Sequence, residues 1–88
     1  MERITLSFNI ADRKLGYDEA DTFRRQLASI LDAALQPDRA GKWVGGMHTK
    51  DAIEIFLMVD DYDRALPLIE SALRDHPLYS SMKVTRRS

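Results

Sequence analysis

One stretch of the sequence decides the fold, and it reads DAIEIFLMV from Asp51 to Val59. Its aliphatic residues fall at alternate positions, with Ile53, Ile55 and Leu57 leading to Val59. Successive side chains of a β-strand point to opposite faces of the sheet, and β-branched residues favour strands. The stretch therefore predicts a strand with one fully buried face.

The N-terminal segment repeats this alternation. Apolar residues occupy every second position from Ile4 to Ile10 and predict another strand with one buried face. Its other face then carries polar side chains, which are Arg3, Thr5, Ser7 and Asn9.

Two further segments carry apolar residues at helical spacing. The first helix is expected to begin with Asp18 as its N-cap and to stop at Gln36 and Pro37. The second is expected to begin at about Asp63 and to end at His76. At that end an imidazolium would meet the helix dipole favourably.

The acidic residues before the second helix are predicted to cap it. They are Asp60, Asp61 and Asp63. Carboxylates favour the positive end of a helix, and the spacing of a calcium-binding loop is missing. We therefore predict no metal site in this cluster.

Two further strands, whose alternation of apolar residues is less regular, complete the pattern. They are KWVGGMH at 42–48 and part of SMKVTRR at 81–87, through Met82 and Val84. A glycine pair such as Gly45 and Gly46 usually marks a β-bulge or a close backbone approach, and we expect a bulge.

The resulting order is β-α-β-β-α-β, which predicts an α+β fold. We expect one ferredoxin-like domain over residues 1–88, a two-layer α/β plait with an antiparallel four-stranded sheet. Right-handed crossovers give the strand order 4-1-3-2 with both helices on one face.

The other face of this sheet is the candidate binding surface. Residues between the buried ones of the decisive strand must point away from the helices, which places Phe56 and Met58 there. The second strand adds one of two sets, depending on where the bulge falls: Trp43, Gly45 and Met47, or Val44, Gly46 and His48. Apolar side chains on a small domain commonly mark interaction sites. The predicted partner-binding residues are Trp43, Met47, Phe56 and Met58.

Composition narrows the range of functions. Thirteen Lys and Arg against fourteen Asp and Glu give a formal charge of −1, so no overall field attracts nucleic acid or an anionic membrane. The chain contains no cysteine, its N-terminus lacks the pattern of a signal peptide, and no apolar run is long enough for a membrane span. We expect a soluble cytoplasmic protein without cofactor or metal.

Catalysis finds little support in the sequence. His48 and His76 lie far apart, and no serine has the context of a nucleophile elbow. The segment from Lys42 to Gly46 resembles the Gly-Trp-Val-x-Asn segment of acylphosphatases, with Arg13 in the loop where those enzymes hold phosphate. However, Gly46 stands near the place of their asparagine. We predict that the protein is not an enzyme.

The predicted topology also resembles that of other families. RNA-recognition motifs carry a Lys/Arg-Gly-aromatic signature on the third strand, whereas this strand offers only Phe56, so we expect no nucleic-acid binding. ACT domains share the element order, with a glycine-containing first turn that Gly16 loosely matches. That resemblance implies a small-molecule sensor with an effector bound near Ala11 to Tyr17 and a helix N-terminus. Small immunity proteins that neutralise bacterial toxins are similar in size and in expected architecture.

We therefore expect a non-enzymatic protein-interaction module that uses the open face of the sheet. A toxin-neutralising immunity protein or a partner-binding regulator would fit this expectation, and self-association as a homodimer is its simplest form. The alternative is the ACT-like small-molecule-sensing domain.

Overall fold

The chain folds in the predicted element order, and a computed structural model describes its residues 2–87. The regular elements are β1 (Glu2–Asn9), α1 (Tyr17–Leu35), β2 (Gly41–His48), β3 (Ala52–Val59), α2 (Tyr62–Leu73) and β4 (Met82–Arg87). Short 3-10 turns at Ala11–Arg13 and Tyr79–Ser81 precede α1 and β4.

The four strands form one antiparallel sheet in the order β2-β3-β1-β4. This is the predicted order, and it confirms the ferredoxin-like plait. β1 and β3 lie in the centre, where Leu6 pairs with Ile55 and Phe8 with Ile53. The alternate aliphatic residues of β3 therefore face the helices as predicted. All four of the paired side chains named above are fully buried.

The core lies between this sheet face and the two helices. From the strands it takes Ile4, Leu6, Phe8, Ile53, Ile55, Leu57 and Val59, and from the helices Ala20, Leu27, Ala28, Leu31, Leu35, Ala65, Ile69 and Leu73. Since every second residue of β1 and β3 belongs to this core, the residues between them have no helix to pack against.

Helix α1 begins slightly earlier than predicted. Gly16 is its N-cap and Tyr17 its first residue, so Asp18 lies inside the first turn and the prediction of Asp18 as N-cap was wrong. Gly16 has no side chain to cap the helix, but its N–H donates to Oε1 of Glu19 at 3.5 Å. Asp18 and Glu19 still complement the positive end of the helix. The predicted stop is confirmed, because the helix ends at Leu35.

The N-cap of helix α2 also lies earlier than predicted, two residues before Asp63. Asp61 is the N-cap, and its carboxylate accepts the Asp63 N–H at 2.9 Å. The prediction of Asp63 rested on keeping Pro67 in the first turn, whereas the structure places Pro67 inside the helix. A good capping interaction at Asp61 therefore prevails over the hydrogen bond that the proline cannot make.

Replacing Asp61 with alanine should destabilise the protein by about 0.5–2 kcal/mol, because α2 loses the side-chain cap at its N-terminus. Asp61→Asn should cost little, since asparagine caps equally well. Chemical denaturation of both variants measures the difference, with Asp63→Ala as the matched control. A larger loss for Asp63→Ala than for Asp61→Ala would contradict this assignment of the cap.

A β-bulge interrupts the pairing of β2 with β3, as predicted. Trp43 pairs with Leu57, but the next pair is Gly45 with Phe56, so Val44 is an extra residue in β2. Beyond the bulge the alternation of β2 changes phase. The bulge therefore decides which residues of β2 reach the open face.

Candidate functional site

The open face is the side of the sheet that neither helix covers. The register places on it Arg3, Thr5, Ser7 and Asn9 of β1, Ala52, Glu54, Phe56 and Met58 of β3, and Lys83 and Thr85 of β4. Phe56 and Met58 are half-buried there, between the fully buried Ile55, Leu57 and Val59 of the opposite face. Their predicted placement is confirmed.

Strand β2 contributes a set that differs from both predicted ones. Met47 lies opposite Glu54, Gly45 opposite Phe56 and Lys42 opposite Met58, so these three β2 residues share the open face. The predicted set of Trp43, Gly45 and Met47 is correct for Gly45 and Met47, which follow the bulge. It is wrong for Trp43, which precedes the bulge. The bulge at Val44 brings Lys42 to the open face, and neither predicted set includes this residue.

Trp43 does not lie on the open face. It pairs with the buried Leu57, and its side chain lines a hollow of about 240 Å³ between β2 and α1. The backbone N–H of Trp43 also donates to Oδ1 of Asp32 on α1, over 3.4 Å. The expectation that Trp43 joins the other predicted binding residues is therefore corrected, because the bulge turns it to the helix side.

The other three predicted residues form one group, which we call the Phe56 patch: Met47, Phe56 and Met58. Met58 follows Phe56 by two residues on β3. Met47 on β2 is the diagonal neighbour of Phe56, a spacing that long side chains span. Met47 is 47% exposed. Gly45 lies beneath the phenyl ring, since a Cβ there would be 3.6 Å from Cδ2 of Phe56.

Two cations border the Phe56 patch. Arg3 and Lys42 lie on either side of Met58 in the register of β1, β3 and β2. The guanidinium carbon of Arg3 is 5.3 Å from the centroid of the Phe56 ring, which is a cation–π distance. Among the described side chains, neither cation forms an ion pair with a carboxylate. The site is therefore apolar at its centre and positively charged at one end.

Neither histidine belongs to the Phe56 patch, although His48 directly follows Met47 on β2. His48 points to the helix side, where its ring centroid is 4.6 Å from that of Tyr17 and its Nδ1 is 3.9 Å from Asp21 Oδ1. Its Nε2 is buried without a hydrogen-bond partner among the described residues. Hydrogen bonds from Arg24 and then Arg25 hold the pKa of Asp21 below its usual value. His48 and Asp21 therefore belong to the contact between β2 and α1, on the side of the sheet opposite the patch.

His76 is held in a neutral form, contrary to the expected imidazolium. Its Nδ1 accepts the N–H of Leu78 at 3.1 Å and so carries no proton there. The ring packs edge-on against Phe23, with centroids 5.8 Å apart. Burial lowers the pKa of His76, and the nearby charge of Arg13 lowers it further.

The free energy of unfolding should therefore decrease as the pH is lowered through the range where His76 titrates. A folded-state pKa below the ordinary value means that the unfolded chain binds more protons, so the free energy of unfolding falls as pH drops below about 6.5. Melting temperatures from neutral pH to about pH 5 measure this loss. His76→Asn is the matched control, because its side-chain oxygen keeps the bond to the N–H two residues on and does not titrate. Equal pH profiles for the two proteins would contradict the expected role.

The loop predicted to hold an effector borders two hollows. The one at the N-terminus of α1 measures about 90 Å³ and lies among Leu15, Gly16, Tyr17, Ala20, His48, Thr49 and Lys50. Ala11, at the start of the loop, lines a second hollow of about 340 Å³ with Ser7, Asn9, Asp51, Ala52, Ser81 and Lys83. Small-molecule sites typically occupy about 300–1,000 Å³. Arg13, placed in that loop, donates to the Pro77 carbonyl at 2.7 Å.

Neither a metal centre nor a membrane span emerges from the described part of the chain. Residues 2–87 contain no group of three His, Asp or Glu side chains placed to hold a metal ion. No helix among them combines the length and the apolar composition that crossing a bilayer requires.

Comparison with known proteins gives no relative from which a function could be taken. No protein-family model matches the chain, and no curated protein matches it either. The functional argument therefore rests on the open face itself.

Proposed function

We propose that this protein is a non-enzymatic interaction module that binds a protein partner through the open face of its sheet. The observation that supports this most is the Phe56 patch, which brings Met47, Phe56 and Met58 together where neither helix covers them. Aromatic residues and methionine are enriched at the centres of protein interfaces. A polar rim with Thr5 and Ser7 on β1 completes the usual anatomy of such a surface.

Pairing along the free edge of β2 is less well supported. A bulge is one of the devices by which edge strands avoid pairing with another chain, and β2 has one at Val44. Asp32 also accepts the N–H of Trp43, one residue before the bulge. Both features interrupt the hydrogen-bonding row that an added strand would need.

A small-molecule sensor has weaker support than a binding module. The hollow at the N-terminus of α1 is about 90 Å³, and the hollow of about 340 Å³ that Ala11 lines lies on the open face itself. The Phe56 patch extends over two adjacent strands of the same face. Such a surface suits a macromolecule rather than a small effector. Toxin neutralisation and regulation of a partner protein are both roles that a module of this kind can perform.

The test is a charge at the centre of the patch. Phe56→Glu should leave the chain folded by circular dichroism, because Phe56 does not lie between sheet and helices. It should abolish partner binding or self-association, since a carboxylate buried in an apolar contact is costly and central anchors carry much of the affinity. Tyr17→Glu is the control, because Tyr17 is 77% exposed and lies off this face.

Affinity capture from the source organism and sedimentation provide the measurements. We expect at least one partner, or a dimer of the chain, that Phe56→Glu loses and Tyr17→Glu retains. If no association depends on Phe56, the open face is not the binding surface. If Phe56→Glu unfolds, Phe56 belongs to the core.

A further inference from the structure

We propose that the partner segment is acidic and carries an apolar side chain, an inference that rests on the function proposed above. It follows from one row of residues across three strands. Lys42 of β2, Met58 of β3 and Arg3 of β1 lie side by side in register. A partner that buries Met58 must therefore also cover the cations on both sides of it.

Covering these cations requires carboxylates from the partner. Removing a charge from water is costly unless an opposite charge compensates for it. Elsewhere the chain supplies such compensation, since Asp21 pairs with Arg24 and Glu2 pairs with Arg86. Within residues 2–87 no carboxylate does the same for Arg3 or Lys42. Among the described residues, both charges are thus left for the partner to pair.

The charge of the whole face argues against a second copy as the occupant. Among the side chains that the structure describes, the register places three cations on it, Arg3, Lys42 and Lys83, and one carboxylate, Glu54. Asp51 lines the same hollow as Lys83, so the unbalanced charge lies at the Met58 end. Two such faces brought together would each lack the carboxylates that the other requires, and like charges across an interface are costly.

A single-stranded nucleic acid also fits this face less well than a protein. Sheet-face recognition of RNA stacks about two or three bases on aromatic side chains. Among the described residues of the open face, Phe56 is the one aromatic, and Arg3 lies 5.3 Å from its ring centroid. A base stacked there would have to displace Arg3, whereas apolar side chains of a protein can pack beside Met47 and Met58.

A fluorescent peptide in which Asp and Glu alternate with Leu and Phe is the probe, and its matched counterpart replaces the acids with Lys. Fluorescence anisotropy should show binding of the acidic peptide alone, weakened by salt. Lys42→Glu should weaken this binding about tenfold, because a repulsive contact replaces an attractive one. Lys50→Glu makes the same charge change in the β2–β3 turn, off the patch, and should have little effect.

The alternative occupants give distinguishable results. Three results would overturn the acidic partner, provided that Phe56→Glu abolishes the association observed. They are binding of the Lys peptide to the wild type, binding of a U-rich RNA oligomer, and a dimer of the chain alone. Each of those results would leave the open face as the binding site. If no probe and no second copy binds in a Phe56-dependent way, both the partner class and the proposed function are contradicted.

Discussion

Ile55→Ala should lower the free energy of unfolding by about 2–5 kcal/mol, measured by chemical denaturation. Ile55 is fully buried on β3, between Leu6 of β1 and Gly46 of β2 in the register of the sheet. Truncating it removes apolar contacts under the helices and leaves a cavity that the surrounding strands can fill only in part.

The neighbouring residue provides the control for this experiment. Glu54 precedes Ile55 on the same strand but points to the open face, opposite Ser7 and Met47. Glu54→Ala should therefore change stability by about 0.5 kcal/mol or less, as surface substitutions usually do. Equal losses for the two variants would mean that the faces of β3 are assigned the wrong way round.

Gly46→Ala should destabilise the protein by about 1–3 kcal/mol, the usual cost of forcing extra atoms into a packed site. A Cβ at Gly46 would lie 2.7 Å from the backbone oxygen of Glu54, closer than real Cβ atoms approach other atoms. The backbone of β2 or β3 must then shift. No glycine in the described residues has a positive φ, so the restriction at Gly46 is one of space.

Gly45 is the matched control one residue earlier. A Cβ there would meet the Phe56 ring at 3.6 Å, which is an ordinary van der Waals contact. Gly45→Ala should therefore be neutral or slightly stabilising, since alanine also restricts the unfolded chain. Thermal unfolding of the two variants separates these roles, and a greater loss at Gly45 would contradict them.

The sequence was sufficient to predict the fold because two signals agreed over long segments. The alternation from Ile53 to Val59 identified a strand with one buried face, and helical spacing identified both helices. The helix starts were less certain, since clustered carboxylates favour an N-cap and a first turn alike. Asp18 and Asp63 fit either position, and the structure places the N-caps at Gly16 and Asp61 instead.

The candidate site could be predicted in part. Phe56 and Met58 followed directly from the alternation of β3, which has no irregularity. The residues of β2 did not, because a bulge changes the phase of a strand and its exact position leaves little trace in the sequence. The shift at Val44 separated Trp43 from the patch and brought Lys42 to it.

The most direct test of the open face as the binding surface uses the methionines as probes. Met47 and Met58 lie on the open face, whereas Met82 pairs with Phe8 and packs against the core on the helix side. In a chain with ¹³C-labelled methionine methyl groups, the acidic peptide should shift the signals of Met47 and Met58 together and leave that of Met82 unchanged. A shift of the Met82 signal without those of Met47 and Met58 would place binding elsewhere and contradict the open face as the site.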